Sequence, residues 1–206
     1  NSALSEAGIH DVTLLMREDW TITTSLSVPA GVYLHGVGWK YSINYNAGGN
    51  CITIAGDDVK IRDLKIVIVA GAGDAGTRPN CILADTRTNL EITKCWLVGD
   101  ETVDDDGDLE RQCGIVFDTV TYSRIALCRI NDHKRNGITL YGSDNTMTGN
   151  TCNGNTQSGI YITINSDNNT MTGNTCNGNT QSGIRLHGSD NTATGNTCND
   201  NGDYGI

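Results

Sequence analysis

A repeat near the C-terminus indicates the fold of this chain. The sixteen residues from Asn145 to Ile160 read NTMTGNTCNGNTQSGI, and the sixteen residues from Asn169 to Ile184 repeat the same letters 24 positions later. A looser third copy, NTATGNTCNDNGDYGI, runs from Asn191 to Ile206, a further 22 positions along the chain. Self-similarity at this period is typical of a solenoid, in which each repeat packs against its neighbours.

The pattern continues towards the N-terminus as a glycine or cysteine followed by a short alternating strand. The marker residues are Gly31, Cys51, Cys81, Gly114, Gly137, Gly159, Gly183 and Gly205. Apolar–polar alternation predicts half-buried strands, and their inward residues, from Val32 and Leu34 to Ile184 and Leu186, are expected to stack into one apolar column. We therefore predict an all-β fold: a right-handed, single-stranded parallel β-helix of seven to eight coils, with 22–24 residues and three short strands per coil.

The length of 206 residues fits one domain. Within it, residues 1–30 are expected to form an N-terminal entry or cap, and residues 31–136 to form coils interrupted by long loops. Residues 137–206 are the near-identical repeat coils.

Cysteine and asparagine each recur at a fixed coil position. The cysteines of one column are Cys95, Cys128, Cys152, Cys176 and Cys198. No C-x-x-C pair exists, so a structural zinc site is disfavoured and buried free thiols are expected. The distance between coils also leaves a cross-coil disulfide open. The asparagines Asn150, Asn174 and Asn196 predict a ladder of stacked amides.

Several segments resemble the parallel β-helix repeats of the pectate-lyase-like superfamily. They are ITTSLSVPAGVYLHGVG from Ile22 to Gly38, the strand pair from Asp58 to Ile66, and the SDN and TGNTC turns of the repeats. The resemblance covers nearly the whole chain and implies the fold. That superfamily contains polysaccharide lyases, glycoside hydrolases, uronate epimerases, tailspikes and non-catalytic surface proteins, so the resemblance implies a polysaccharide as partner and leaves the reaction open.

Charge and hydropathy exclude two classes of partner. The net charge of −10 cannot neutralise a phosphate backbone, which argues against nucleic acid and against anionic membrane surfaces. No apolar run approaches the ~20 residues of a membrane-spanning helix, so no membrane insertion is expected. The resemblance to the pectate-lyase-like superfamily implies a secreted or cell-surface location.

Chemistry is expected where the regular repeat is broken. Insertions at residues 67–80 and 97–112, and a shorter one at residues 131–136, each precede a strand of the predicted apolar column. Because the three insertions occupy the same corner of successive coils, they should wall one face of the solenoid.

The strands beside this wall end in residues suited to catalysis. Asp85, Asp118 and Tyr141 are the last outward residues of three successive strands. Two carboxylates on adjacent coils suit an acid/base or nucleophile pair in glycoside hydrolysis. In an elimination or epimerisation of a uronate, Tyr141 and His133 would transfer the proton. Solvated strand ends without a role are the alternative.

Three further residues are candidates for binding the polymer. Lys134 and Arg135, in the 131–136 insertion, would neutralise a uronate carboxylate. Trp96, next to the 97–112 insertion, would supply a ring on which a sugar stacks.

The loop from Asp100 to Glu110, DETVDDDGDLE, predicts a calcium site. Its alternating oxygen ligands are Asp104, Asp106, Asp108 and Glu110. Their spacing suits Ca²⁺ without matching an EF-hand, and a solvated acidic loop is the alternative.

The sequence is compatible with two functions. One is a β-helix that binds, and cleaves or epimerises, a polysaccharide at the face walled by the insertions. The other is a non-catalytic structural or adhesive solenoid, which the near-identical coils favour. Because the sequence stops one residue into a new coil, at Ile206, we expect a homo-oligomer or further C-terminal coils to cover that end.

Overall fold

A computed structural model describes residues 11–13, 15–69, 79–100 and 112–206 of the chain. In these ranges the protein consists of short strands in three parallel sheets, each coil contributing a strand to each sheet over most of its length. This confirms the predicted parallel β-helix. The described ranges contain no helix long and apolar enough to cross a membrane.

The first sheet has eight strands and runs the length of the solenoid. Its strands are β1 (Asp11–Thr13), β4 (Tyr33–His35), β7 (Lys60–Arg62), β10 (Glu91–Thr93), β13 (Arg124–Ala126), β16 (Thr146–Thr148), β18 (Thr170–Thr172) and β20 (Thr192–Thr194). Threonines occupy both outward positions of β16, β18 and β20, in register from coil to coil.

The second sheet has five strands and loses its regular strand pairing towards the C-terminus. Its strands are β2 (Trp20–Ile22), β5 (Ile43–Tyr45), β8 (Lys65–Ile68), β11 (Trp96–Val98) and β14 (Arg129–Asn131). Beyond β14 it continues only as single parallel bridges from Arg129 through Thr151, Thr175 and Thr197.

The third sheet has one strand in each of seven coils. Its strands are β3 (Leu26–Val28), β6 (Asn50–Ile54), β9 (Asn80–Asp85), β12 (Ile115–Asp118), β15 (Ile138–Tyr141), β17 (Ile160–Ile162) and β19 (Ile184–Leu186). One file of this sheet stacks isoleucines at Ile82, Ile115, Ile138, Ile160 and Ile184, and all are fully buried. The predicted apolar column is therefore present from β6 to β19.

The prediction for the first coil is wrong. Val32 and Leu34 were expected to begin the column of the third sheet, but β4 pairs with β7 in the first sheet, so Leu34 stacks on Ile61. The third sheet instead begins with β3, inside the segment that was expected to form a cap. Gly31 lies in a turn with a φ of 69°, a backbone geometry that glycine favours. Gly31 therefore lies at a corner of the coil, although the sequence around it matches the pattern of a glycine followed by an alternating strand.

Glycine occurs before β15, β17 and β19 for a different reason, which is close packing. A Cβ atom on Gly183 would lie 2.6 Å from Cβ of Cys198, and one on Gly159 would lie 2.9 Å from Cβ of Cys176. The glycine column therefore makes room for the cysteine column of the neighbouring corner.

All eight cysteines are free thiols, and all except Cys198 are buried. This confirms the expectation of free thiols for the described chain. Burial raises the pKa of Cys51 to about 12, and burial next to other thiols raises the pKa of Cys81 well above its ordinary value. Such thiols stay protonated at neutral pH and act as small core residues.

Rows of asparagine side chains connect the C-terminal coils. The Asn150 side-chain amide donates to Oδ1 of Asn174 over 3.0 Å, and the Asn174 amide donates to Oδ1 of Asn196 over 3.0 Å. Asn155 and Asn179 repeat this arrangement one corner later. Each amide also bonds to the backbone of a neighbouring coil, so the corners bury polar groups without leaving them unpaired.

Candidate functional site

Asp85, Asp118 and Tyr141 lie side by side at the ends of three adjacent strands. In the third sheet Asp118 is the register partner of Asp85 on one side and of Tyr141 on the other. Adjacent strands lie about 4.8 Å apart, so the backbones of these three residues fall within two strand spacings. Asp85 is exposed, and Asp118 and Tyr141 are half-buried. We call these three residues the carboxylate row.

The residue after each aspartate has an unusual backbone conformation. Thr86 and Thr119 have φ angles of 53° and 54°, and in the described ranges they are the only β-branched residues with positive φ. This region is unfavourable for β-branched side chains. Each hydroxyl donates to the preceding carboxylate, over 2.7 Å from Thr86 to Asp85 and over 3.2 Å from Thr119 to Asp118. Strain of this kind concentrates at functional sites.

His133 does not join the carboxylate row. It is 1% exposed, its ring hydrogen-bonds to the Leu97 backbone, and its Nε2 atom has no hydrogen-bond partner. Burial lowers the pKa of His133 to about 4. The imidazole is therefore neutral and enclosed at neutral pH, and it cannot reach a bound polymer in this conformation.

The two basic neighbours of His133 differ in exposure. Arg135 is 2% exposed, so the expectation that its guanidinium projects onto the face is not met. Its backbone N–H donates to the Gln112 carbonyl over 3.2 Å, and its carbonyl accepts from the N–H of Gln157. Lys134 is half-buried and keeps some access to solvent. Of the three, only Lys134 is available to an external ligand.

Trp96 lies on the second sheet, away from the carboxylate row. Its register partners are Lys65 on β8 and Arg129 on β14, which flank it from opposite sides. The Lys65 ammonium lies 4.5 Å and the Arg129 guanidinium 5.1 Å from the ring centroid, and Trp39 packs edge-on at 5.9 Å. Both ring faces already carry a cation, so this conformation offers no free face for a sugar to stack on.

The predicted calcium ligands Asp104, Asp106, Asp108 and Glu110 lie outside the described residues. The same holds for most of the 67–80 and 97–112 insertions. Within the ranges that the structure describes, no three His, Cys, Asp or Glu side chains form a group that could hold a metal ion.

A second polar cluster lies further along the outward face of the third sheet. Arg185 on β19 is the register partner of Tyr161 on β17. The guanidinium lies 5.5 Å from the Tyr161 ring centroid, and its Nε–H donates to Nε2 of His187 over 2.8 Å. The His187 ring meets Tyr161 edge-on at 5.6 Å. Two side chains thus hold the guanidinium at the surface.

Sequence reasoning missed this cluster, although the repeats carried a signal for it. The two identical sixteen-residue blocks diverge immediately after Ile160 and Ile184, where Tyr161 in one coil corresponds to Arg185 in the next. The outward positions change from Tyr161 and Thr163 to Arg185 and His187, whereas the inward residue stays aliphatic, as Ile162 and Leu186. A change of chemical type on the outward side of an otherwise copied strand indicates a surface with its own requirements.

The family of the chain follows from its sequence. The family model described as a right handed beta helix region matches residues 80–206, which is more than half of the chain. The protein belongs to this family of right-handed β-helix proteins. No curated protein matches the chain at a significant level.

Solved structures share the fold at low sequence identity. The Dettilon tailspike protein is 18% identical with a TM-score of 0.61, and the match covers 87% of this chain and 39% of the tailspike chain. The ORF18 protein of Geobacillus virus E2 is 8% identical with a TM-score of 0.56, covering 96% of this chain and 54% of that one. The A-module of an Azotobacter vinelandii mannuronan C-5 epimerase is 15% identical with a TM-score of 0.47, covering 98% and 72%. The chain thus spans 39% of the length of the tailspike chain and 54% of the length of the ORF18 chain. The similarity to these structures is one of fold.

Proposed function

We propose that the protein binds a polysaccharide along the outward face of the third sheet and cleaves or epimerises it at the carboxylate row. The observation that supports this is the register of Asp85, Asp118 and Tyr141 on adjacent strands. The strained threonines behind both aspartates support it further. A secreted or cell-surface location fits a polymer of this kind.

The row contains groups for two reactions. Carboxyl groups about 5 Å apart suit a retaining glycoside hydrolase, in which one is the nucleophile and the other protonates the leaving oxygen. On a uronate, a phenolate at Tyr141 would instead remove the C5 proton. In an elimination the C4–O bond then breaks and the leaving oxygen takes the proton back from the phenol, whereas in an epimerisation water on the opposite face returns a proton to C5. Tyr141 takes the role expected of His133, because His133 is enclosed.

Calcium is the cofactor that we propose for this function. The predicted acidic ligands would bind the ion, and a bound cation would draw uronate carboxylates towards an otherwise acidic face.

A screen of polysaccharides with the Asp85→Asn/Asp118→Asn variant tests the proposal. Purified protein would be incubated with neutral and uronate polymers, with calcium and with a chelator. New reducing ends report hydrolysis, absorbance of unsaturated products reports elimination, and proton NMR of the polymer reports epimerisation. We expect the double variant to lose activity by at least about a hundredfold.

Asp190→Asn is the matched control. Asp190 is exposed and lies in a turn well beyond the row, where asparagine tolerates its φ of 54°. This control should keep full activity. Activity that survives in the double variant would show that the chemistry lies elsewhere on the protein.

A non-catalytic structural or adhesive solenoid is the second candidate. The C-terminal coils favour it, because their asparagine rows and threonine files repeat from coil to coil without chemical variation. Polymer binding without any product in the three assays would support this function over catalysis.

A further inference from the structure

A small pocket opens beside the Arg185–Tyr161 pair. Its volume is about 230 Å³, and its lining residues are Asn136, Gln157, Ser158, Tyr161, Gln181 and Arg185. This is below the roughly 300 Å³ at which pockets for drug-sized ligands begin. The pocket therefore suits one ring of a polymer, and we call it the Arg185 pocket.

The charge of the Arg185 pocket favours an anion. None of its lining residues is acidic, and Arg185 is exposed and forms no ion pair with a described residue. Its guanidinium is already positioned by Tyr161 and His187. A guanidinium held in this way can form paired hydrogen bonds with a carboxylate at little further cost in side-chain entropy.

Ser158 gives the pocket an unused hydrogen-bonding group. It is 1% exposed, and its Oγ has no hydrogen-bond partner. Its backbone is fixed, because the Ser158 N–H donates to Oδ1 of Asn136 over 3.0 Å and its carbonyl accepts from the N–H of Gly137. A buried hydroxyl without a partner costs free energy that a ligand can recover by bonding to it.

We propose that the Arg185 pocket binds a carboxylate-bearing sugar residue of an acidic polysaccharide. Arg185 pairs with the carboxylate, while Ser158 Oγ and the amides of Gln157 and Gln181 bond to ring hydroxyls. The proposal rests on the proposed function only in taking the ligand to be a sugar polymer. β19 is three strands from β12, so Arg185 lies about 14 Å along the sheet from Asp118 and anchors the polymer beyond the carboxylate row.

Calorimetric titration with three ligands tests the pocket. They are a hexuronic acid trisaccharide, the same trisaccharide with its carboxyl groups reduced to alcohols, and acetate. We expect the acidic trisaccharide to bind at least about tenfold more tightly than the reduced one. Acetate should bind more weakly than the acidic trisaccharide, because it cannot contact Ser158 and the glutamines together. Equal affinity for the two trisaccharides, or acetate binding as tightly as the acidic one, would overturn the proposal.

Two variants separate the pocket from the carboxylate row. Arg185→Gln should remove the preference for the acidic trisaccharide. The Asp85→Asn/Asp118→Asn variant should bind it within about threefold of the unmodified protein, even where catalysis is lost. Loss of catalysis and loss of binding would thus be seen in different variants. An Arg185→Gln protein that binds unchanged would exclude the pocket.

Ser158→Ala tests the unused hydroxyl, with Ser182→Ala as its control. Ser182 is the equivalent buried residue one coil further on, and it does not line the pocket. Ser158→Ala should weaken binding of the acidic trisaccharide by about threefold or more without lowering the thermal midpoint, because it removes a group that is unpaired in the free protein. Equal weakening by Ser182→Ala would show that the effect is structural.

Discussion

Several polar side chains in this solenoid are buried or are bound by neighbouring side chains, so they are not accessible to a ligand. His133 lies beneath the corner that precedes β15, and a Cβ on Gly114 would come within 3.0 Å of its Nε2. Its backbone N–H donates to Oδ1 of Asn155 over 3.1 Å. Arg135 is buried in the same turn, whereas Arg185 is exposed on a strand. The environment of each side chain therefore decides its availability, and residue type alone does not.

The burial of His133 predicts a pH dependence of stability. Its pKa is lowered from 6.5 to about 4 in the folded protein, so the unfolded chain binds a proton first as pH falls. The stabilisation is present above pH 6.5 and is lost as pH falls from 6.5 towards 4, by up to about 3 kcal/mol. Urea unfolding at pH 7.5, 6 and 4.5 measures it.

His133→Gln is the comparison protein, since glutamine is polar and does not titrate. Its free energy of unfolding should change less between pH 7.5 and 4.5 than that of the unmodified protein. Parallel curves for the two proteins would show that other groups cause the acid sensitivity.

Within each structural element, hydrogen bonds from asparagine side chains hold the corner of one coil to the corner of the next. Oδ1 of Asn174 accepts from the backbone N–H of Asn150 over 2.9 Å, and its amide donates to the Met147 carbonyl over 3.0 Å. Asn174 is fully buried, so both partners depend on it. In these coils the second sheet is reduced to single bridges, so the side-chain row has to hold the corner.

Removal of one amide from this row should be costly. Asn174→Ala leaves the Asn150 N–H and the Met147 carbonyl buried without their partner, at a cost of about 2 kcal/mol or more. Thermal unfolding should show a midpoint lower by about 4–8 °C. Asn199→Ala, at an exposed position, should change stability by no more than about 0.5 kcal/mol. Similar midpoints for the two variants would mean that the row contributes little to stability.

At the scale of the whole molecule, coils are interchangeable units with local functions. Each coil pairs only with the coils before and after it, so stability is approximately a sum over neighbours. The carboxylate row lies on β9, β12 and β15, and the Arg185 pocket lies mainly on the coils of β17 and β19. The coil that carries β16 and β17 can be removed without removing any residue of the carboxylate row.

Deletion of residues 145–168 removes one coil and joins Asp144 to an identical repeat at Asn169. We expect a folded β-protein whose thermal midpoint falls by about 10 °C or less, measured by circular dichroism. Any activity of the carboxylate row should persist. The preference for the acidic trisaccharide should disappear, because Ser182 replaces Ser158 by the same residue but Tyr161, which positions Arg185, has no replacement. An unfolded or aggregated product would mean that the coils are not independent units.

The sequence alone was enough to determine the fold and much of the register. Identical sixteen-residue blocks define the coil, and inward isoleucines can stack in only one register, so Asp85, Asp118 and Tyr141 could be placed on adjacent strands. The first coil was misplaced because Gly31 carries the same local letters as the strand markers but lies in a turn.

Which polar side chains can reach a ligand depends on the stacking of the coils and could not be predicted from the sequence. Exposure depends on what packs over a residue from other coils, and those residues are distant in sequence. His133 and Arg135 were therefore expected at the surface but are enclosed. For the same reason the Arg185 pocket, formed by three consecutive coils, could be recognised only once those coils were stacked.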